Sequence, residues 1–440
     1  MGRVRGSVLS LFSGAGGLDL GLEAAGFKTV ACLEIDQTCR DTLRLNRPKW
    51  KQLDCSDVTE AAKTLEPKDL RLKVGELDLI AGGPPCQPFS MAAQWANTGR
   101  LGMKDDRAQT VVAMLDLVEK FLPKALLIEN VAGFLRGEIS ASPFINERLK
   151  KINADHGTSY KLVPRVVDAA DYGVPQRRNR VIAVAVKDGR EFSWPEANYA
   201  DNPVRAWDVL ADLKEDDLPV GQGTWTELLP SIPEGGNYQY LTSRGAGDEL
   251  FGYRTRYWSF LLKLAKDQPA WTLSASPGPS TGPFHWDNRP LTSRECLRLQ
   301  SFPDDWKLAG NHRQHVKQAG NATPPLLAEV VGRALITHLY GEPPKRKNLK
   351  FLRKHVKGEV PEAVPPAPVP ARFLGLVGAK KAHPGEGQGP SPRQKPVATD
   401  EPMDTVLVGS SVSELANGLR AVVPIDRSAR RAQRGLQPLW

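Results

Sequence analysis

The chain has 440 residues, 40% of them hydrophobic, and a formal net charge of +9 at pH 7. That length suffices for a large domain and a smaller one, each with its own core, while no apolar run is long enough to cross a bilayer. The positive balance favours polyanionic partners without by itself selecting nucleic acid.

The N-terminal MGRVRGSVLSLF reaches a glycine-rich turn too soon to be a secretory leader, so a cytoplasmic location is expected. The cysteines Cys32, Cys39, Cys55, Cys86 and Cys296 show no C-x-x-C spacing and no paired framework. Reduced thiols, without a zinc site or a disulfide scaffold, are the expectation.

From Ser7 to about Val186, short apolar runs alternate with segments of helical period, the pattern of a parallel sheet covered by helices. The spacing predicts strands at Val8–Phe12, Thr29–Glu34, Leu77–Ala81, Ala125–Glu129 and Val181–Val186, with a helix over Ala108–Phe121. Ligands are expected at the carboxyl ends of such strands. From about Lys187 to Asp287 the regularity fails and Pro, Gly, Trp and Tyr become frequent, which predicts a small loop-rich domain. Thr292 or Ser293 can cap a helix through Leu291–Gln300, and Pro324–Leu339 reads as a final helix. Beyond Gly341 the chain is rich in proline and glycine, so a disordered or loosely attached tail is expected.

The first strand runs into Phe12-Ser13-Gly14-Ala15-Gly16-Gly17, where glycines let the backbone pass close to a ligand, and Glu34 ends the second strand as an acceptor for ribose hydroxyls. Alone, that pair equally fits a plain turn or a nicotinamide dehydrogenase. Asp57 can accept from an adenine amino group or serve as a solvated loop acid. Phe12 beside the turn suits a sulfonium cofactor better than a pyrophosphate.

Gly82-Gly83-Pro84-Pro85-Cys86-Gln87-Pro88-Phe89-Ser90 directly follows a strand, and two prolines before a cysteine favour a positioned thiol over a buried filler. Glu129-Asn130-Val131 puts a carboxyl group at the same sheet edge. In Gln176-Arg177-Arg178-Asn179-Arg180 the alternation points Arg178 and Arg180 to one side.

FSGAGG, GGPPCQPFS, ENV, QRRNR, LTSRECLRLQSFPDDW and QAGNATPP occur together and in one order, over roughly residues 7 to 340. This ordered set resembles the blocks of the cytosine-5 DNA methyltransferase family. The resemblance implies a doubly wound α/β fold of the S-adenosylmethionine-dependent methyltransferase type, with a smaller recognition domain. It implies an α/β domain over 1–187, target recognition over 188–288 and returning helices over 289–340, while the tail over 341–440 matches nothing in the family pattern.

The catalytic set it implies is Cys86 as nucleophile on cytosine carbon 6, Glu129 as hydrogen-bonding acid, and Arg178 and Arg180 as orienting groups. S-adenosyl-L-methionine would meet Phe12, Gly14, Gly16, Gly17, Leu18, Glu34, Ile35, Asp57, Val58, Pro85, Asn321 and Ala322. Gln87, Ser90 and Gln176 would face DNA, whose target base must be flipped out of the duplex. Arg205, Arg244, Arg254 and Arg256 suit phosphate contacts or base readout. The implied partners are double-stranded DNA and a cognate restriction endonuclease acting separately, with a monomer and no membrane association. An RNA-directed relative is the main rival, and a Cys-Phe-Thr string characteristic of that group is absent from the recognition region.

Overall fold

The computed structural model describes residues 6–85, 109–135, 140–252, 257–341, 343, 347–356 and 358–375. Strands β1 (Gly6–Leu11), β2 (Phe27–Leu33), β3 (Leu79–Gly82), β4 (Ala125–Asn130), β5 (Val163–Asp168) and β6 (Asn179–Val186) form one sheet in the order β2-β1-β3-β4-β6-β5. The first four are parallel, and β6 runs antiparallel to both β4 and β5. The helices are α1 (Gly17–Ala25), α2 (Gln37–Asn46), α3 (Val58–Thr64), α4 (Gln109–Phe121), α5 (Ser142–His156), α6 (Ala206–Leu210), α7 (Ser293–Leu299), α8 (His312–Asn321), α9 (Pro325–Tyr340) and α10 (Ala371–Leu374).

The central strands LIAG and ALLIEN are buried at every position because helices cover both faces. Alternation along each strand then divides the apolar residues between two cores. Val8, Leu79, Ala81, Leu127 and Val184 face α1 and α9. Leu9, Ile80, Leu126, Val181 and Ala183 face α4 and α5. The strand order turns outward on either side of β1 and β3, so the crevice beyond their carboxyl ends is the expected ligand position.

Capping explains several boundaries. Asp36 accepts from the amides of Thr38 and Cys39 at the start of α2. Thr292 and Glu295 close a reciprocal box on α7, and Asn311 and Gln314 do the same on α8. Gly341 ends α9 in the left-handed conformation, with φ 74°.

Two features depart from the sequence expectations. The sequence does not announce the edge strand β5, because VPRVVD carries a proline and an arginine and has only one fully buried position instead of an apolar run. The tail is not loose throughout: between 347 and 375, Phe351, Val369 and Phe373 are buried. Val369 and Phe373 join a third core built from Trp225, Leu228, Tyr238, Phe251, Phe260 and Phe284. Among the described residues, no helix is long and apolar enough to cross a membrane.

Candidate active site

After β1 the chain turns through Phe12 at φ 57°, Gly14 at φ 54° and Gly16 at φ 82°, and the Gly16 amide closes the turn on the Ser13 carbonyl at 2.8 Å. Among the described residues other than its chain neighbours, nothing lies nearer than 4.0 Å to where a Gly14 side chain would project, leaving room over the turn. Across it, Glu34 accepts from the Gly14 amide at 2.6 Å and from the Asp36 amide at 2.8 Å. Burial raises the Glu34 carboxyl above its ordinary range, and these amide bonds oppose the rise. Ile35 beside it is 70% exposed, an apolar side chain left open at the ligand edge. Leu18 and Val58 are buried in the flanking helices. Asp57 caps α3, accepting from the amide and the hydroxyl of Thr59, both at 2.8 Å.

Gly17 packs α1 against the chain's returning end. A methyl group there would sit 2.1 Å from the Thr323 carbonyl oxygen and 3.0 Å from the Phe302 ring. Gly17→Ala is therefore expected to destabilise the fold by about 1–3 kcal/mol, read by urea unfolding. An unchanged midpoint would show that this contact can relax.

Asp19, in the first turn of α1, has 0% exposure. Burial pushes its carboxyl up to about 7 against the opposing Ser10 hydroxyl, with Glu34 and Glu23 adding to the rise. With the folded value above the unfolded one, stability from this group is full below pH ~4 and is lost as pH rises through about 7. Asp19→Asn is expected to raise stability at pH 8.5 by a few kcal/mol and to change it little at pH 4, measured by urea unfolding at both. A gap independent of pH would contradict this.

The edge expected to carry the chemistry lies at the ends of β3 and β4. Glu129 is only 7% exposed, and its Oε1 lies 3.0 Å from Arg180 Nε. A methyl group at Gly83 would come 3.0 Å from Glu129 Oε2 and press on the acid, so the loop runs close beside it. The Asn130 side-chain amide donates to the Pro84 carbonyl at 2.8 Å, tying the loop to β4. Pro85 ends the described stretch. Cys86, Gln87, Ser90, Arg254 and Arg256 lie outside the described residues.

Three of the expected residues make their contacts within the protein. Gln176, expected to face DNA, has 0% exposure; its amide donates to the Leu299 carbonyl and accepts from the Leu273 amide. Arg178 is 1% exposed and donates to the Gly320 carbonyl at 2.7 Å, which braces the Gly320-Asn321-Ala322 block. Arg205, expected to reach DNA, is paired with Asp208 at 2.8 Å. Asn321 is exposed at the end of α8, while Ala322 is 7% exposed.

The structure also adds residues that the sequence did not single out. Trp306 donates from its indole to the Ala15 carbonyl at 3.1 Å, pinning the glycine-rich turn from 291 residues downstream. Lys317 reaches Asp36 at 2.8 Å, joining α8 to the loop that carries Glu34. Thr272 donates to the Arg177 carbonyl at 2.7 Å, bringing the loop-rich region onto the catalytic edge. Trp306 lies in LTSRECLRLQSFPDDW, so membership of an ordered block was the available signal.

The geometry thus joins a glycine-rich turn, a half-buried acid and a second acid held by arginine on one sheet edge. The sequence model of the family described as C-5 cytosine-specific DNA methylase matches residues 6–337. The chain belongs to that family. The methylase is 36% identical over 373 residues to the Type II methyltransferase M.SacI of Streptomyces achromogenes, covering 76% of this chain and 93% of that one. It is 35% identical over 355 residues to the Type II methyltransferase M.PspPI of a Psychrobacter species, covering 77% and 80%. Among solved structures, the S. pombe Dnmt2 methyltransferase shares the fold at a TM-score of 0.51 and 19% identity, covering 77% of the methylase and 99% of that chain.

Proposed function

We propose that the methylase modifies carbon 5 of a cytosine within one specific double-stranded DNA sequence, with Cys86 as nucleophile and S-adenosylmethionine as methyl donor. The observation that carries this reading is Glu129 held by Arg180 at 3.0 Å against the loop that leads, one residue after Pro85, to Cys86.

The cofactor fits the residues present. Glu34 keeps acceptor capacity beyond its two amide bonds for ribose hydroxyls, Ile35 offers an apolar face for adenine, and the space over Gly14 admits a ligand backbone. The amides at the start of α1 suit the methionyl carboxylate. Bound S-adenosylmethionine supplies an electrophilic methyl group on its sulfonium.

The protein's part is to make carbon 5 nucleophilic. The Cys86 thiolate adds to carbon 6 of the flipped base and forms a carbon–sulfur bond, while Glu129 hydrogen-bonds the ring nitrogen as negative charge builds there. After carbon 5 takes the methyl group it gives up its proton to a base, and the carbon–sulfur bond breaks to return the thiolate. Arg180 orients Glu129, and Arg178 acts at one remove by bracing the block that contains Asn321. The loop-rich region over 188–288 would read the sequence.

Because the relatives named above are Type II methyltransferases, we assign the methylase the protective half of a restriction-modification pair. It would act as a cytoplasmic monomer beside a separate endonuclease. The test is incubation with methyl-labelled S-adenosylmethionine and either DNA or transfer RNA, followed by bisulfite sequencing of DNA from cells expressing the protein. Label in DNA and one recurrent methylated sequence are expected. Label confined to RNA, or methylation without a recurrent site, would overturn the assignment.

A further inference from the structure

Residues 347–375 lie beyond the family match, which ends at residue 337, yet they bind to three separate parts of the molecule. On α9, the Glu329 side chain is 0% exposed and accepts from Arg333 at 2.7 Å and from the Lys350 amide at 2.8 Å. The Phe351 amide also donates to it, and the Phe351 ring enters the core that contains α1 and α9.

Further along, Arg353 meets Asp304 at 2.7 Å. At α6, Asp208 has a side chain of 0% exposure, accepts from the Val356 amide at 2.8 Å and lies 2.9 Å from His355 Nδ1. Arg205 completes its shell. The chain then follows the loop-rich region, where the Ala367 amide donates to the Pro230 carbonyl at 2.8 Å and Ser231 donates to the Pro368 carbonyl at 3.1 Å. It ends with Val369 and Phe373 inside the third core, Phe373 standing 5.8 Å from the Trp225 ring, and with Arg372 paired to Glu227.

These contacts are not decoration on a finished fold. Two wholly buried carboxylates, Glu329 and Asp208, draw backbone donors from this segment, and a buried carboxylate deprived of donors is strongly unfavourable. The third core is completed by two side chains, Val369 and Phe373, that arrive from well downstream of the loop-rich region. The prolines of EVPEAVPPAPVPA pre-extend the segment, so little conformational freedom is lost on laying it down.

We propose that residues 347–375 form a clasp that sets the position of the loop-rich region relative to the catalytic edge, and so determines affinity for the target duplex and discrimination between sites. The proposal rests on reading 188–288 as the recognition region. Glu329, Asp208, Val369 and Phe373 are positioning residues in this scheme.

The test uses full-length protein and a duplex bearing the site found by bisulfite sequencing. In Val369→Asp/Phe373→Asp, the KM for that duplex is expected to rise about tenfold or more, with kcat at saturating duplex and the Kd for S-adenosylmethionine within about twofold of the parent. Preference for the site over duplexes with one altered base should fall in parallel. Arg353→Ala/His355→Ala loosens the middle of the clasp without placing charge in a core, and serves if the first variant does not fold; the same split is expected. An unchanged KM and preference, or losses in kcat, cofactor affinity and KM together, would overturn the clasp. A parent protein that methylates no DNA would instead overturn the recognition reading itself.

Discussion

With Cys86→Ala, methyl transfer to duplex DNA is expected to fall by a factor of about 10³ or more, while binding of duplex and cofactor stays within about twofold. The reason lies in the substrate. Carbon 5 of an intact cytosine ring is too weak a nucleophile to take a methyl group at a useful rate, and addition at carbon 6 turns it into an enamine carbon. A hydroxyl or an amine in its place would not substitute at neutral pH, because without a dedicated base a hydroxyl keeps its proton and an amine is held as ammonium, whereas a thiol is appreciably ionised to its nucleophilic form. The separation of transfer from binding is what distinguishes a nucleophile from a packing residue. Parallel loss of both would assign Cys86 a structural role.

The second large effect is expected from Glu129→Gln. Its kcat should drop by about 10²–10⁴-fold, with KM for duplex nearly unchanged, in steady-state assays with labelled cofactor. Glutamine keeps the shape and a hydrogen bond but cannot share a proton with the ring nitrogen as electrons move into it. The surroundings leave little room for a substitute: Glu129 is 7% exposed, lies 3.0 Å from Arg180 and closes on Gly83. Water entering such a site would be poorly placed to deliver the same proton. A variant retaining most of its activity would remove Glu129 from the chemistry, and a rise in KM alone would make it a binding group.

Much of the framework was legible because the relevant physics is local. Continuous apolar runs revealed β1, β3, β4 and β6, since strands buried on both faces need them. The capping pattern placed α7, and Thr292 proved to be its cap. The glycine-rich turn, Glu34 and Glu129 all occupy one edge because strand ends in a parallel sheet must.

What failed depends on depth and on distant partners. The alternation rule put Arg178 and Arg180 on one side, but β6 begins at Asn179, so the rule does not reach Arg178. It turns inward to the Gly320 carbonyl, while Arg180 faces Glu129. Gln176 looked like a polar residue for DNA, yet its partners Leu299 and Leu273 lie about a hundred residues away and no local pattern announces them. Proline-rich composition argued for a loose tail, but composition registers the lack of periodicity and not the buried carboxylates waiting on α6 and α9.

The central claim is a covalent bond between one sulfur and carbon 6 of one cytosine. A duplex in which the target cytosine carries fluorine at carbon 5 blocks the final loss of a proton, so the enzyme should remain attached after methyl transfer. Tandem mass spectrometry of the digested adduct reads the attachment point directly. Attachment at Cys86, dependent on S-adenosylmethionine and absent from Cys86→Ala, is the expected result. An adduct on any other residue, or full turnover with no adduct at all, would contradict the account.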